Sequence, residues 1–189
     1  MNLNQFLRKA WHFIWHEDSF ASWIVNIILA FVLIKFIVYP GLGFLLGTSY
    51  PIVAVVSGSM EHNANFNTWY DQNQNYYDEI GISKESFKEF DFRNGFNTGD
   101  IMILRGKEFN QIKKGEVIVF RASRSDPIIH RVIIRHNDNT LQTKGDNNAN
   151  SNFDEKHIKE QQILGRAWLR IPWLGYVKII FVNFISIFQ

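Results

Sequence analysis

Three short stretches of this chain carry the residue types that a serine nucleophile requires. Ser57-Gly58-Ser59-Met60 closes a β-branched run. Glycine between two serines lets the backbone turn sharply, and such a turn can expose a hydroxyl and aim backbone amides at one point. A serine that attacks a carbonyl needs a base for its proton, a group to orient the base, and donors facing the developing oxyanion. His130 is the candidate base. It lies inside the apolar pattern Ile128-Ile129-His130-Arg131-Val132, where a polar ring needs a hydrogen-bond partner. Thr143-Lys144-Gly145-Asp146-Asn147-Asn148 supplies a polar turn, and Asp154 follows shortly after. Either Asp146 or Asp154 could hold the ring N–H of His130. Each signal has a plainer reading when taken alone: Ser-Gly-Ser is a common loop, a core histidine often bonds to backbone, and aspartates are ordinary turn residues. His12 and His16 precede an apolar run, while His62, His136 and His157 fall in polar loops.

The elements that must hold these groups are mostly strands. Pro51–Val56 is a β-branched run that reads as a strand buried on both faces. Strand patterns recur at 100–104, 116–120, 128–134, 140–143 and 163–168, separated by Lys114-Gly115, Asp126-Pro127 and Asn137-Asp138-Asn139. Short strands at regular spacing argue for an all-β barrel or folded sheet. Residues 61–98 differ: they are Asn-rich and aromatic, with Trp69, Tyr70, Tyr76, Tyr77, Phe87 and Phe90. They read as an insertion, with a short helix over 84–90 capped by Ser83.

Ahead of the strands, Ala21 to Val38 is one apolar run broken only by Ser22, Asn26 and Lys35. Extended through Gly41–Gly47, it suffices for a transmembrane anchor over 21–48, which Pro40 would kink or end. Lys35, near the far end of the run, can snorkel to the headgroups. Arg8 and Lys9 precede the run and no Lys or Arg follows Lys35 until Lys84, so the positive-inside rule puts segment 1–20 in the cytoplasm. The domain 49–170 then sits on the outer face of the cell membrane. Residues 171–189 are apolar again and read as an interfacial or membrane segment.

Among the chain's 189 residues 46% are hydrophobic and 20% charged, with a formal net charge of +2 and no cysteine. The charge is scattered, which excludes an electrostatic footprint for nucleic acid. Disulfides, thiolate metal sites and cysteine nucleophiles are excluded outright.

Taken together the boxes resemble type I signal peptidases. The resemblance rests on Ser57-Gly58-Ser59-Met60-Glu61, Thr98-Gly99-Asp100-Ile101, Ile129-His130-Arg131-Val132-Ile133, Lys144-Gly145-Asp146-Asn147-Asn148, Gly165-Arg166 and Ile171-Pro172-Trp173-Leu174-Gly175, in that order. Histidine at the base position resembles the archaeal and endoplasmic-reticulum branch rather than the bacterial branch, which has lysine. The aromatic insertion and the lysine in the anchor resemble archaeal members in particular.

The resemblance implies a mainly β, signal-peptidase-like fold on an N-terminal transmembrane helix, with a small α-containing insertion. It implies a membrane-bound serine endopeptidase that removes signal peptides after small-x-small sites. Ser59 would be the nucleophile, and His130 the base and later the acid for the leaving amine. Ser57 would line the oxyanion hole beside the Ser59 N–H, with Arg131 and Lys144 in support. The family's essential aspartate is matched best by Asp154, with Asp146 as the alternative. No metal or cofactor is implied. The partners would be signal-peptide-bearing precursors, membrane lipid and the translocation machinery. Substrate would bind extended, with Ile52–Val56 the candidate strand edge.

Two departures stand out. His62 occupies a place where the family often has proline, which keeps a base or metal role open for it. The long insertion separates the nucleophile box from Gly99-Asp100. The rival reading is a non-catalytic membrane-anchored β-domain, a scaffold or a binding module that presents Trp69, Tyr76 and Tyr77 to a partner.

Overall fold

The computed structural model describes residues 2–123, 126–176 and 180. The chain divides into two compact units, Met1–Leu45 and Leu46–Gln189.

The first unit is helical. Helix α1 covers Leu3–His16. Helix α2 covers Phe20–Leu46, 27 residues whose most apolar 18-residue stretch has a mean hydropathy of 2.4 and is almost entirely unburied. At 1.5 Å per residue it measures about 40 Å, enough to cross a bilayer with tilt. Ser19 caps it by accepting the Ser22 amide at 3.2 Å. Pro40 does not end this helix. Residues Ile34–Val38 form a π-helical turn in which the Tyr39 amide reaches back to the Ile34 carbonyl. This wider turn accommodates a proline that lacks an N–H and would otherwise crowd the preceding turn. Because the helix continues to Leu46, Lys35 lies within it rather than near its end, with its ammonium over the Phe31 and Phe36 rings.

The second unit is built on one antiparallel six-stranded sheet, the signal-peptidase-like fold expected. Its strands are β1 Ile52–Ala54, β2 Ile101–Arg105, β3 Val117–Phe120, β4 Ile128–Arg135, β5 Leu141–Lys144 and β6 Ile163–Ile171, in the order β1-β2-β6-β3-β4-β5. The β-branched runs read from sequence are these strands, within a few residues. The central strands β3 and β4 are buried almost throughout. The reading of Pro51–Val56 as a strand buried on both faces does not hold. β1 is a three-residue strand at the edge of the sheet, paired among the described residues with β2 alone, and Ile52 and Val56 are exposed.

The insertion carries two helices. α4, Lys84–Lys88, is the short helix expected, and Ser83 caps it by accepting the Ser86 amide at 3.2 Å. α3, Phe66–Glu79, capped by Asn65, was not foreseen. Trp69, Tyr70, Tyr77, Ile82 and Phe87 form a buried cluster that packs on Ile133 of β4. The aromatics of the insertion therefore serve as its core. Trp69 and Tyr77 are 3% and 0% exposed, so the binding module expected as an alternative lacks the surface it needs. Most of the apolar segment 171–189 lies outside the described residues.

Candidate active site

β4 delivers His130 and Arg131 to opposite faces of the sheet, because successive strand side chains alternate. On one side, Nε2 of His130 stands 2.9 Å from Oγ of Ser59, in the turn that follows β1. Its Nδ1 contacts Oε1 of Glu155. A carboxylate oxygen only accepts, so the ring proton resides on Nδ1, and Nε2 is left to accept the serine proton. Both side chains of this pair are buried.

The carboxylate at His130 is Glu155, and neither expected aspartate takes that place. Residues Phe153–Glu155 form a 3-10 turn. It directs Asp154 outward, where it accepts from the Ser123 hydroxyl at 3.0 Å. Glu155 points inward and is 0% exposed. Its second oxygen accepts the Asn152 amide at 2.7 Å, which fixes the carboxylate plane. The signal in the sequence was Asn152-x-x-Glu155, a capping-box pattern.

Asp146 lies on the Arg131 side. Arg131 donates to it from Nε at 2.9 Å and from Nη2 at 2.7 Å. The other guanidinium donors reach the carbonyls of Asp91, Phe92 and Gly115. All five N–H groups are thereby satisfied, and the Phe87 ring lies 4.7 Å from the guanidinium carbon. His62 also donates to Asp146, from Nε2 at 3.0 Å, and stacks on Trp69 with centroids 3.6 Å apart. His62 thus faces Asp146 rather than Ser59. Burial alone would raise the Asp146 carboxyl. The charge of Arg131 and the hydrogen bonds from His62 and Arg131 outweigh it and hold the group at about 2. Burial would equally lower Arg131, but Asp146 keeps it above its ordinary value.

Lys144 is buried as well. Its ammonium donates to the Gly145 carbonyl at 3.0 Å and lies over the Tyr76 and Tyr77 rings. Burial pushes it down to about 8, against the pull of Asp146. The insertion therefore grips the 144–146 turn through His62 and Tyr77, and holds Arg131 through the carbonyls at 91–92. Sequence reading saw these groups only as an added segment.

This turn in turn holds Ser59. Asn147 donates its amide to the Ser59 carbonyl at 2.8 Å and its side chain to the Gly58 carbonyl at 3.0 Å. A Cβ on Gly145 would lie 2.7 Å from the Ser59 carbonyl and 2.8 Å from His130 Nε2, so only glycine fits. Ser57 Oγ is 3.2 Å from Ser59 Oγ, on the exposed side. Glu61 accepts the Thr98 amide at 2.9 Å, and Asp100 accepts the Trp173 amide at 3.2 Å and pairs with Arg170 at 2.7 Å. The separate sequence boxes are thus one hydrogen-bonded assembly.

The chain matches no protein-family model. It is 32% identical over 157 residues to the signal peptidase complex catalytic subunit SEC11 of Lachancea thermotolerans, spanning 76% of this chain and 73% of that protein. The SEC11 subunit of Scheffersomyces stipitis is 28% identical over 155 residues, spanning 77% and 74%. Human SEC11C is 29% identical over 153 residues, and the match covers 63% of its length, just under two thirds.

Proposed function

The chain belongs to the family of signal peptidase catalytic subunits, and we propose that Ser59 is its nucleophile, His130 its base and Glu155 the carboxylate that orients the base. It is a membrane-bound serine endopeptidase that removes signal peptides from precursor proteins. The observation that carries the assignment of residues is the 2.9 Å approach of His130 Nε2 to Ser59 Oγ, with a buried carboxylate on the opposite ring nitrogen.

The reaction follows from these contacts. Ser59 Oγ attacks the scissile carbonyl carbon as its proton passes to His130 Nε2. The imidazolium formed is stabilised by Glu155. Ser57 Oγ and the Ser59 amide face the developing oxyanion. On collapse the C–N bond breaks, and His130 returns the proton to the leaving amine. Water, deprotonated by His130, then hydrolyses the Ser59 ester and restores the hydroxyl. Arg131 and Asp146 act on the turn that holds Ser59 and touch no reacting atom.

α2 anchors the chain, Arg8 and Lys9 keep segment 1–20 in the cytoplasm, and the β-domain 49–170 works on the outer face of the cell membrane. The open edge of β1 receives the extended segment before the cut, by strand addition. The relatives are named as subunits of a complex, and association with further membrane subunits near the translocation machinery belongs to the same reading. The insertion 61–98 and the lysine in the anchor favour an archaeal type.

The test is cleavage of a precursor with a small-x-small site by the full chain in proteoliposomes, with the new N-terminus sequenced. A single cut after the second small residue is expected. An intact precursor, or cuts scattered through it, would refute the assignment.

A further inference from the structure

The two uncharged polar residues within the apolar span have specific partners in α1. Ser22 Oγ donates to the Phe13 carbonyl at 2.7 Å, and Asn26 Nδ2 donates to the Ile14 carbonyl at 3.0 Å. These carbonyls lie in the last turn of α1, which has no intrahelical donors of its own for them. Only Glu17, Asp18 and Ser19 separate the two helices. The C-terminal end of α1 is therefore fixed at the level of the first turns of α2.

α1 is strongly amphipathic. At helical spacing, Leu3, Phe6, Leu7, Ala10, Trp11 and Ile14 share one side, while Gln5, Arg8, Lys9, His12 and His16 share the other. No residue of α1 is buried. Phe6, Trp11 and Trp15 are 51%, 62% and 66% exposed. The helix itself contains no carboxylate, although Glu17 and Asp18 follow it.

We propose that α1 is an interfacial helix, lying in the headgroup–acyl boundary of the bilayer that α2 crosses. Its apolar side faces the acyl chains, and Arg8 and Lys9 reach phospholipid phosphate oxygens. Three observations select lipid over a protein partner. The hydrogen bonds from Ser22 and Asn26 set α1 at the depth where the span begins. Its cations lie opposite its apolar side, as a surface-lying helix requires. Trp11, Trp15 and Trp23 cluster in sequence around that level, where indole rings with one apolar and one polar edge favour the interface. The turn carboxylates offset the two cations, so the apolar side supplies most of the binding.

The proposal rests on the membrane reading of α2, and one experiment separates the two. The chain has no cysteine, so single cysteines can be placed in the full protein at Phe6 and Trp11 on the apolar side, at Gln5 and His12 on the polar side, and at Ile28 in the span. Each is spin-labelled in phospholipid nanodiscs, and collision with oxygen is compared with collision with a water-soluble nickel chelate. The labels at 6 and 11 should sit roughly 5–10 Å below the headgroup level, those at 5 and 12 in water, and that at 28 deepest. Equal nickel access at 5, 6, 11 and 12 with a deep label at 28 would overturn the proposal and leave the span intact. Labels at 6 and 11 shielded from both reagents would mean protein packing and would also overturn it. A water-exposed label at 28 would overturn the span itself. Asn26→Leu should increase the mobility of the label at Trp11; unchanged mobility would contradict the fixing role of Asn26.

Discussion

Glu155 divides its carboxylate between His130 and the chain: one oxygen meets Nδ1 of the ring, and the other accepts the Asn152 amide at 2.7 Å. The ring is thereby held in one tautomer by a carboxylate that the backbone itself holds in place. Glu155→Gln keeps the shape but can present an N–H to Nδ1, which favours the wrong tautomer. We expect kcat for precursor cleavage to fall by about 10³-fold or more with KM little changed. Asp154→Asn alters only a contact with exposed Ser123 and should stay within about 3-fold of the parent. The opposite ranking of the two variants would return the orienting role to Asp154.

Gly145 offers a second test, since a methyl group there meets the Ser59 carbonyl and His130 Nε2 at under 3 Å. Gly145→Ala must push these two apart or shift the turn. A displacement near 1 Å can cost about 10²-fold in rate. Cleavage should drop by at least that factor, while the melting temperature, read by circular dichroism, falls only modestly. Full activity in Gly145→Ala would show that the observed spacing is not the working one.

How far the site could be read from sequence depended on the kind of order involved. The strands were legible because β-branched runs such as Val117–Phe120 have few other uses. Helix α3 is hard to read because it is built from Asn, Gln and aromatic residues rather than aliphatic ones, although Phe66, Trp69, Tyr70, Asn73 and Tyr77 repeat at helical spacing. Ser59 and His130 were legible from their boxes. Glu155 was not, because adjacent Asp154 and Glu155 are chemically alike and only the phase of a 3-10 turn decides which faces inward. The link from His62 to Asp146 joins positions 84 residues apart, and no local pattern encodes it.

The buried charges make stability rise with pH in two separate ranges. Asp146 titrates at about 2 when folded, below its ordinary 3.8. Its stabilisation is complete above the ordinary value and is lost as pH falls through about 2, roughly 2 kcal/mol in all. Lys144 titrates at about 8 when folded, below its ordinary 10.5. The folded state therefore releases this proton before the unfolded state does, and stability should rise from pH about 8 toward 10 by about 3 kcal/mol at most. Denaturant unfolding of the parent and of Lys144→Met, compared across that range, isolates the lysine. Parallel curves would contradict its depressed value.

Most directly, the account stands on Ser59 and His130 acting as a pair. The decisive measurement is kcat/KM for precursor cleavage in proteoliposomes by the parent, Ser59→Ala, His130→Ala and the double variant, each shown to be folded by its melting temperature. Groups acting as a unit give strongly non-additive losses. We expect each single variant to lose about 10⁴-fold or more and the double variant to lose little beyond either one. Substantial cleavage by Ser59→Ala, or losses that simply multiply in the double variant, would contradict the pairing.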